Sequence, residues 1–124
     1  MNINIKTVNI SLTPAIEDYL RKKLDMLNKV VDLNADNVFI QAELGKTTRH
    51  HRSGDVFRAE YNLEVGGNFY RASYETEELY AAIDMAKDEL QQIVRNSQNK
   101  RKSLIRRGAA KLKNLLRFGK IKNE

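Results

Sequence analysis

The side chains best able to do chemistry crowd the end of the chain. Residues 100–124 carry ten of the 22 Lys and Arg, among them Lys100, Arg101, Lys102, Arg106, Arg107, Lys111 and Lys113, against the single acid Glu124. That segment has a net charge of +9, whereas residues 1–99 carry 12 basic against 15 acidic side chains, a net of −3. A run so basic suits a polyanion, because Lys and Arg that neutralise phosphates release condensed counterions. Bond-making chemistry has much less to work with. His50 and His51 are adjacent, with Asp55 nearby, but the chain has no third His and no Cys to complete a zinc set. The pair reads instead as part of a solvated basic loop, with Arg49 and Arg52, able to touch RNA. The carboxylates interleave with basic residues on what look like helix and strand faces, the pattern of solvated i,i+4 pairs rather than of paired acids in a cleft. Gly66-Gly67 is not followed by Lys-Ser/Thr and a helix, so it is no phosphate loop. Neither a Gly-x-Ser-x-Gly elbow nor a His-Glu-x-x-His helix occurs. The chemistry expected is binding, without an enzyme activity, a metal or a cofactor.

These residues need a scaffold, and 124 residues allow one domain with a modest core. With 41% apolar and 31% charged residues, the composition fits a small domain bearing a polar extension. No apolar run approaches the roughly 20 residues that span a bilayer, and the N-terminus lacks the plan of a signal peptide, so the cytoplasm is expected.

The longest element is an amphipathic helix over residues 76–107. Thr76 is its expected N-cap, Glu77 and Glu78 fill the first turn, and Leu79, Ile83, Ala86, Leu90, Ile93 and Val94 form the apolar stripe. Gly108 should break it, leaving residues 109–118 as a separate short basic helix with Leu112, Leu115 and Leu116 on one side. Upstream, Ile3, Ile5 and Val8 suggest a first strand. Thr13-Pro14 reads as an N-cap and first helical residue, and Ile16, Leu20, Leu24, Leu27 and Val31 give a stripe over about five turns. Lys22 and Lys29 fall opposite that stripe, with Lys23 at its edge. Val38, Ile40, Ala42 and Leu44 alternate as a second strand, followed by a polar loop over residues 46–55. Phe57, Ala59, Tyr61, Leu63 and Val65 form a third strand. Gly66-Gly67 supplies the positive φ of a tight hairpin, and Tyr70, Ala72 and Tyr74 form a fourth strand. The alternate spacing of the aromatics on the last two strands assigns most of them to the core. The order β-α-β-β-β-α predicts an α+β sandwich, a four-stranded sheet with two helices packed on one face. Residues 1–102 would form the domain and 103–124 the basic extension.

Three segments together resemble the ribosome hibernation-promoting factor family, also called ribosome-associated inhibitor proteins. They are Leu12-Thr13-Pro14-Ala15-Ile16, the Gly66-Gly67 hairpin, and Glu78-Leu79-Tyr80-Ala81-Ala82-Ile83-Asp84. The resemblance covers about residues 2–102. It implies a stress or stationary-phase protein that lies in the decoding channel of the small ribosomal subunit, excludes mRNA and tRNA, and holds ribosomes inactive. Its partners would be ribosomal RNA and adjacent ribosomal proteins, with no small-molecule substrate and no membrane. In that family basic helix residues face ribosomal RNA. Lys23 and Lys29 match such positions, and Lys22, Lys87, Arg95, Lys100, Arg101 and Lys102 are the neighbouring candidates, with Arg106, Arg107, Lys111 and Lys113 added by the tail. Met26 and Glu89 stand where relatives often carry Lys. The chain resembles the short form, without the dimerisation domain of long members, and so implies a monomer off the ribosome. Two alternatives remain open at this level: a general RNA-binding or RNA-chaperone module whose affinity resides in the tail, and a membrane-surface protein using the tail's basic amphipathic helix.

Overall fold

Alternation and helical stripes become one sheet and two helices in the computed structural model, which describes residues 1–48 and 54–122. Strand β1 (Ile3–Val8) leads through helix α1 (Pro14–Asp25) and a 3-10 turn (Met26–Lys29) into β2 (Val38–Thr48). Strands β3 (Asp55–Val65) and β4 (Asn68–Thr76) follow, and helix α2 (Leu79–Lys122) closes the order. The sheet runs β1-β2-β3-β4, with β1 parallel to β2 and the other pairs antiparallel. This is the α+β sandwich the sequence predicts.

Helix α1 starts where its cap chemistry places it. Thr13 Oγ1 accepts from the Ile16 N–H at 3.2 Å, and Pro14 occupies the first turn, where an absent N–H is harmless. Leu20, Leu24 and Leu27 are fully buried. The next buried position is Val30 rather than Val31, because the last turn tightens to three residues.

On the helix-facing side of the sheet, Val38, Ile40, Ala42, Leu44, Ala59, Tyr61, Leu63 and Ala72 join the α1 leucines and Ala82, Ile83, Ala86, Leu90 and Val94 of α2 in one core. Tyr61 also donates its hydroxyl to the Ile83 carbonyl oxygen at 2.9 Å, which satisfies a buried polar group and ties sheet to helix. In β1 the inward places belong to Ile3, Ile5 and Thr7, and Val8 points outward. Gly66 and Gly67 both take positive φ, 54° and 87°, and close a two-residue turn between the paired Val65 and Asn68.

The opposite face of the sheet is turned away from α1 and from residues 79–94 of α2. Its side chains lie in register as successive rows: Phe39–Glu64–Phe69, then Asn4–Gln41–Asn62–Arg71, then Lys6–Glu43–Glu60–Ser73.

Three expectations are corrected, and the assignment of most strand aromatics to the core holds with two exceptions. Residues 46–48 extend β2 and Asp55 opens β3, because the β2–β3 ladder continues to the Thr48–Asp55 pair. Thr76 ends β4, paired with Phe57, so α2 starts only at Leu79. Glu77 and Glu78 make the bend from sheet to helix, where the Glu78 carbonyl accepts from the Ala82 N–H at 3.0 Å. Gly108 does not break α2: with no Pro nearby and Ala109-Ala110 behind it, an isolated Gly costs only about 1 kcal/mol, and the helix runs through it. Of the aromatics on β3 and β4, Tyr61 is fully buried and Phe57 and Tyr70 pack partly on the core, but Phe69 and Tyr74 are exposed. Phe69 belongs to the open face, and exposed Tyr74 shows that alternation near a strand end does not secure burial. The His50–His51 pair and the flanking Arg49 and Arg52 lie outside the described residues.

Two compact units divide the chain, residues 1–94 and residues 95–124.

Candidate nucleic-acid interface

In the first unit, two i,i+4 pairs on different helices meet. Tyr19 and Lys23 lie one turn apart on α1, and Tyr80 and Asp84 one turn apart on α2. The Tyr19 hydroxyl donates to both Asp84 carboxylate oxygens, at 2.7 and 2.9 Å. Lys23 Nζ reaches Asp84 Oδ1 at 3.4 Å and sits 5.5 Å from the centre of the Tyr19 ring. Tyr19 and Tyr80 meet edge to face, with ring centres 4.7 Å apart. The Asp84 charge raises the Lys23 pKa above its ordinary value, so the ammonium stays charged. The hydrogen bond to Asp84 likewise raises the Tyr19 pKa and keeps its hydroxyl protonated as a donor. Lys23 is therefore a held cation at the seam between the helices. Lys22 and Lys29 are exposed, Lys29 at the end of the 3-10 turn.

Lys87 departs from the expectation. Its position, four residues after Ile83 and three before Leu90, is on the packed side of α2, and the residue is only 5% exposed. Its Nζ turns to Asp88 Oδ1 at 2.6 Å and Gln91 Oε1 at 3.4 Å. A stripe position hides the side chain whatever its charge, so Lys87 is not offered to a phosphate as the other candidates are.

In the second unit Arg95, Lys100, Arg101, Lys102, Arg106, Arg107, Lys111 and Lys113 are all exposed along the helix. Leu104, Ile105, Leu112, Leu115 and Leu116 are exposed with them. Among the described residues no group of His, Cys, Asp and Glu could hold a metal ion. No described helix is long and apolar enough to cross a membrane. The arrangement can present charge to an anionic surface.

Sequence reasoning found the exposed cations but not Tyr19, Tyr80 and Asp84. Each i,i+4 pair was visible in the sequence; their meeting depends on how the helices pack.

Comparison with known proteins adds an independent line. Residues 3–102 match the family model described as Sigma 54 modulation protein / S30EA ribosomal protein. A ribosome hibernation promoting factor of Klebsiella oxytoca is 31% identical over 100 residues, covering 81% of this chain and 96% of that protein. A ribosome hibernation promotion factor of Bacillus subtilis is 26% identical over 100 residues, and there the match spans 81% of this chain but only 50% of the relative. Among solved structures, the N-terminal domain of Protein Y from Thermus thermophilus is 32% identical with a TM-score of 0.59, covering 77% of this chain and 98% of that one. A ribosomal subunit interface protein from Coxiella burnetii shares the fold, with a TM-score of 0.63 at 16% identity over 80% of this chain and 99% of that one. With four-fifths of its length matched, the chain belongs to the Sigma 54 modulation protein / S30EA ribosomal protein family.

Proposed function

We propose that this protein is a translation inhibitor that docks in the decoding channel of the small ribosomal subunit, excludes mRNA and tRNA, and keeps ribosomes inactive under stress or in stationary phase. Support comes first from the family match over residues 3–102, whose relatives carry the name of ribosome hibernation factors. The mechanism is steric occupancy with phosphate neutralisation, and no bond is made or broken. The folded body, residues 1–102, supplies the shape. Lys22 and Lys23 on α1 and Lys29 on the 3-10 turn face ribosomal RNA, and Lys23 does so with its ammonium already oriented by Asp84. Arg95, Lys100, Arg101, Lys102, Arg106, Arg107, Lys111 and Lys113 add counterion release and a steep salt dependence, with residues 103–124 acting as a basic extension.

The test is competition. Saturating a purified small subunit with the protein should block initiator tRNA binding and halt translation in a reconstituted system. Normal tRNA binding on a saturated subunit would sink the occupancy reading. It would leave the second one, a general RNA binder acting through its tail, which the exposed cations of residues 100–113 favour.

A further inference from the structure

The open face of the sheet has an end row that the family's basic helices do not explain. Phe39 on β2, Glu64 on β3 and Phe69 on β4 are directly opposite one another in register. Phe39 is 46% exposed and Phe69 76% exposed, although both could have been polar at no cost to the core. They line a single concavity of about 420 Å³ together with Gln41, Asn62, Glu64 and Arg71. Adjacent strands are about 4.8 Å apart, so the two phenylalanines rise from backbones about 10 Å apart. A planar group stacked between two rings at van der Waals distance needs about 7 Å. That spacing leaves room for one flat group between the two rings, over the strand that carries Glu64.

Charge decides what kind of flat group. The other acids of the central rows are already engaged: Glu60 pairs with Arg58 and Arg71, and Glu43 with Arg58. Glu64 has no ion-pair or side-chain hydrogen-bond partner among the described residues. A nucleic-acid base would stack equally well, but its phosphates would meet a face on which Glu43, Glu60 and Glu64 are opposed by Lys6, Arg58 and Arg71, with both arginines held by carboxylates. A guanidinium suits the two rings and the Glu64 carboxylate, while Arg71, the other charge in the lining, is held by Glu60. A guanidinium is planar, it stacks on aromatic faces, and its fork of N–H donors matches a carboxylate. The side-chain amides of Gln41 and Asn62 lie in the next row, where they can receive the main chain of an extended segment.

We propose that Phe39, Glu64 and Phe69 form a slot for an arginine side chain presented by an extended segment of a basic protein partner, on the face turned away from α1 and from residues 79–94 of α2. The full chain, isotope-labelled, is titrated with a capped peptide of sequence Gly-Ser-Arg-Val-Ser-Gly while amide resonances are followed. Saturable shifts centred on Phe39, Glu64 and Phe69 are expected. Changing the peptide's Arg to Lys, or the protein by Glu64→Gln or Phe69→Ala, should weaken binding by roughly fivefold or more. Equal affinity for the Lys peptide would overturn arginine recognition in favour of simple charge. Shifts at these residues with a uridine hexanucleotide but not with the peptide would overturn the protein partner in favour of RNA. Shifts that appear on concentrating the protein alone would make the occupant a second copy, and no shift at all would remove the slot. Both protein variants leave every cation of the candidate interface in place, so tRNA competition measured on them tests the ribosomal reading separately.

Discussion

The hydroxyl of Tyr19 on α1 donates to both carboxylate oxygens of Asp84 on α2, at 2.7 and 2.9 Å, across 65 residues of sequence. The same carboxylate draws Lys23 Nζ to 3.4 Å. One acid therefore joins the two helices and aims a cation, so structure and binding can be separated by substitution. Tyr19→Phe keeps the ring contact with Tyr80 and removes only the donor. It should cost about 1 kcal/mol in urea unfolding, as for one partly exposed hydrogen bond to a charged group. Asp84→Asn should in addition loosen Lys23 and weaken ribosome binding, whereas Tyr19→Phe with Lys23 still paired should leave binding near normal. Equal losses of ribosome affinity in both variants would show that Lys23 is not positioned by Asp84.

Alkali should destabilise the fold through groups with a shared sign. The hydrogen bond to Asp84 raises the Tyr19 pKa, the Asp84 charge raises that of Lys23, and burial raises that of Tyr61. Each holds its proton more tightly when folded. Their contribution is fully present below the unfolded values of about 10 for Tyr and about 10.4 for Lys. Above those values the unfolded chain has lost protons that the folded chain retains, so stability falls as pH rises through the folded values. Thermal melts should be flat from about pH 7 to about pH 9 on account of these groups and decline above about pH 10. The decline should be shallower in Tyr61→Phe, and an equal slope in that variant would remove Tyr61 as a cause.

Ile83 tests the core. It is fully buried where α2 packs on the sheet, and its carbonyl receives the Tyr61 hydroxyl. Ile83→Ala should cost about 2–5 kcal/mol in chemical denaturation. A cost under about half a kcal/mol would place Ile83 at the surface and contradict the packing.

Gly108 tests the continuity of α2. A Cβ there would meet no atom within 4 Å, and its φ is not in the positive region. Gly108→Ala should therefore stabilise the helix by about 1 kcal/mol and raise helicity in circular dichroism of the full chain. Unchanged or lower helicity would mean that the helix stops at Gly108, as the sequence alone suggested.

Truncation after Asn99 separates shape from charge. It removes ten basic side chains and changes the net charge from +6 to −3, yet leaves the unit of residues 1–94, with its whole hydrophobic core, intact. The fragment should fold and compete with tRNA more weakly. If half the removed cations touch phosphate, the slope of log affinity against log salt should flatten by roughly three to four. An unchanged slope would show that the tail does not lie on RNA.

What the sequence settled by itself is local and periodic. Alternation at Val38, Ile40, Ala42 and Leu44 and the three-and-four spacing from Leu79 to Val94 each name a buried face, since burial follows the period of the backbone. Thr13-Pro14 and Gly66-Gly67 name a helix start and a turn, because their conformations are set within a few residues. The charge division at residue 100 needs no fold at all. Tertiary structure decided what depends on neighbours distant in sequence. It brought Asp84 against Tyr19 and Lys23, a meeting of helices that no local rule contains. It buried Lys87, whose charge marked it for the surface while its place on the stripe turned it inward. It moved the start of α2 past Thr76, because pairing with Phe57 held that residue in the sheet against its capping tendency. It also set Phe39, Glu64 and Phe69 side by side through strand register, a relation fixed by hydrogen bonds between strands and invisible along any one of them.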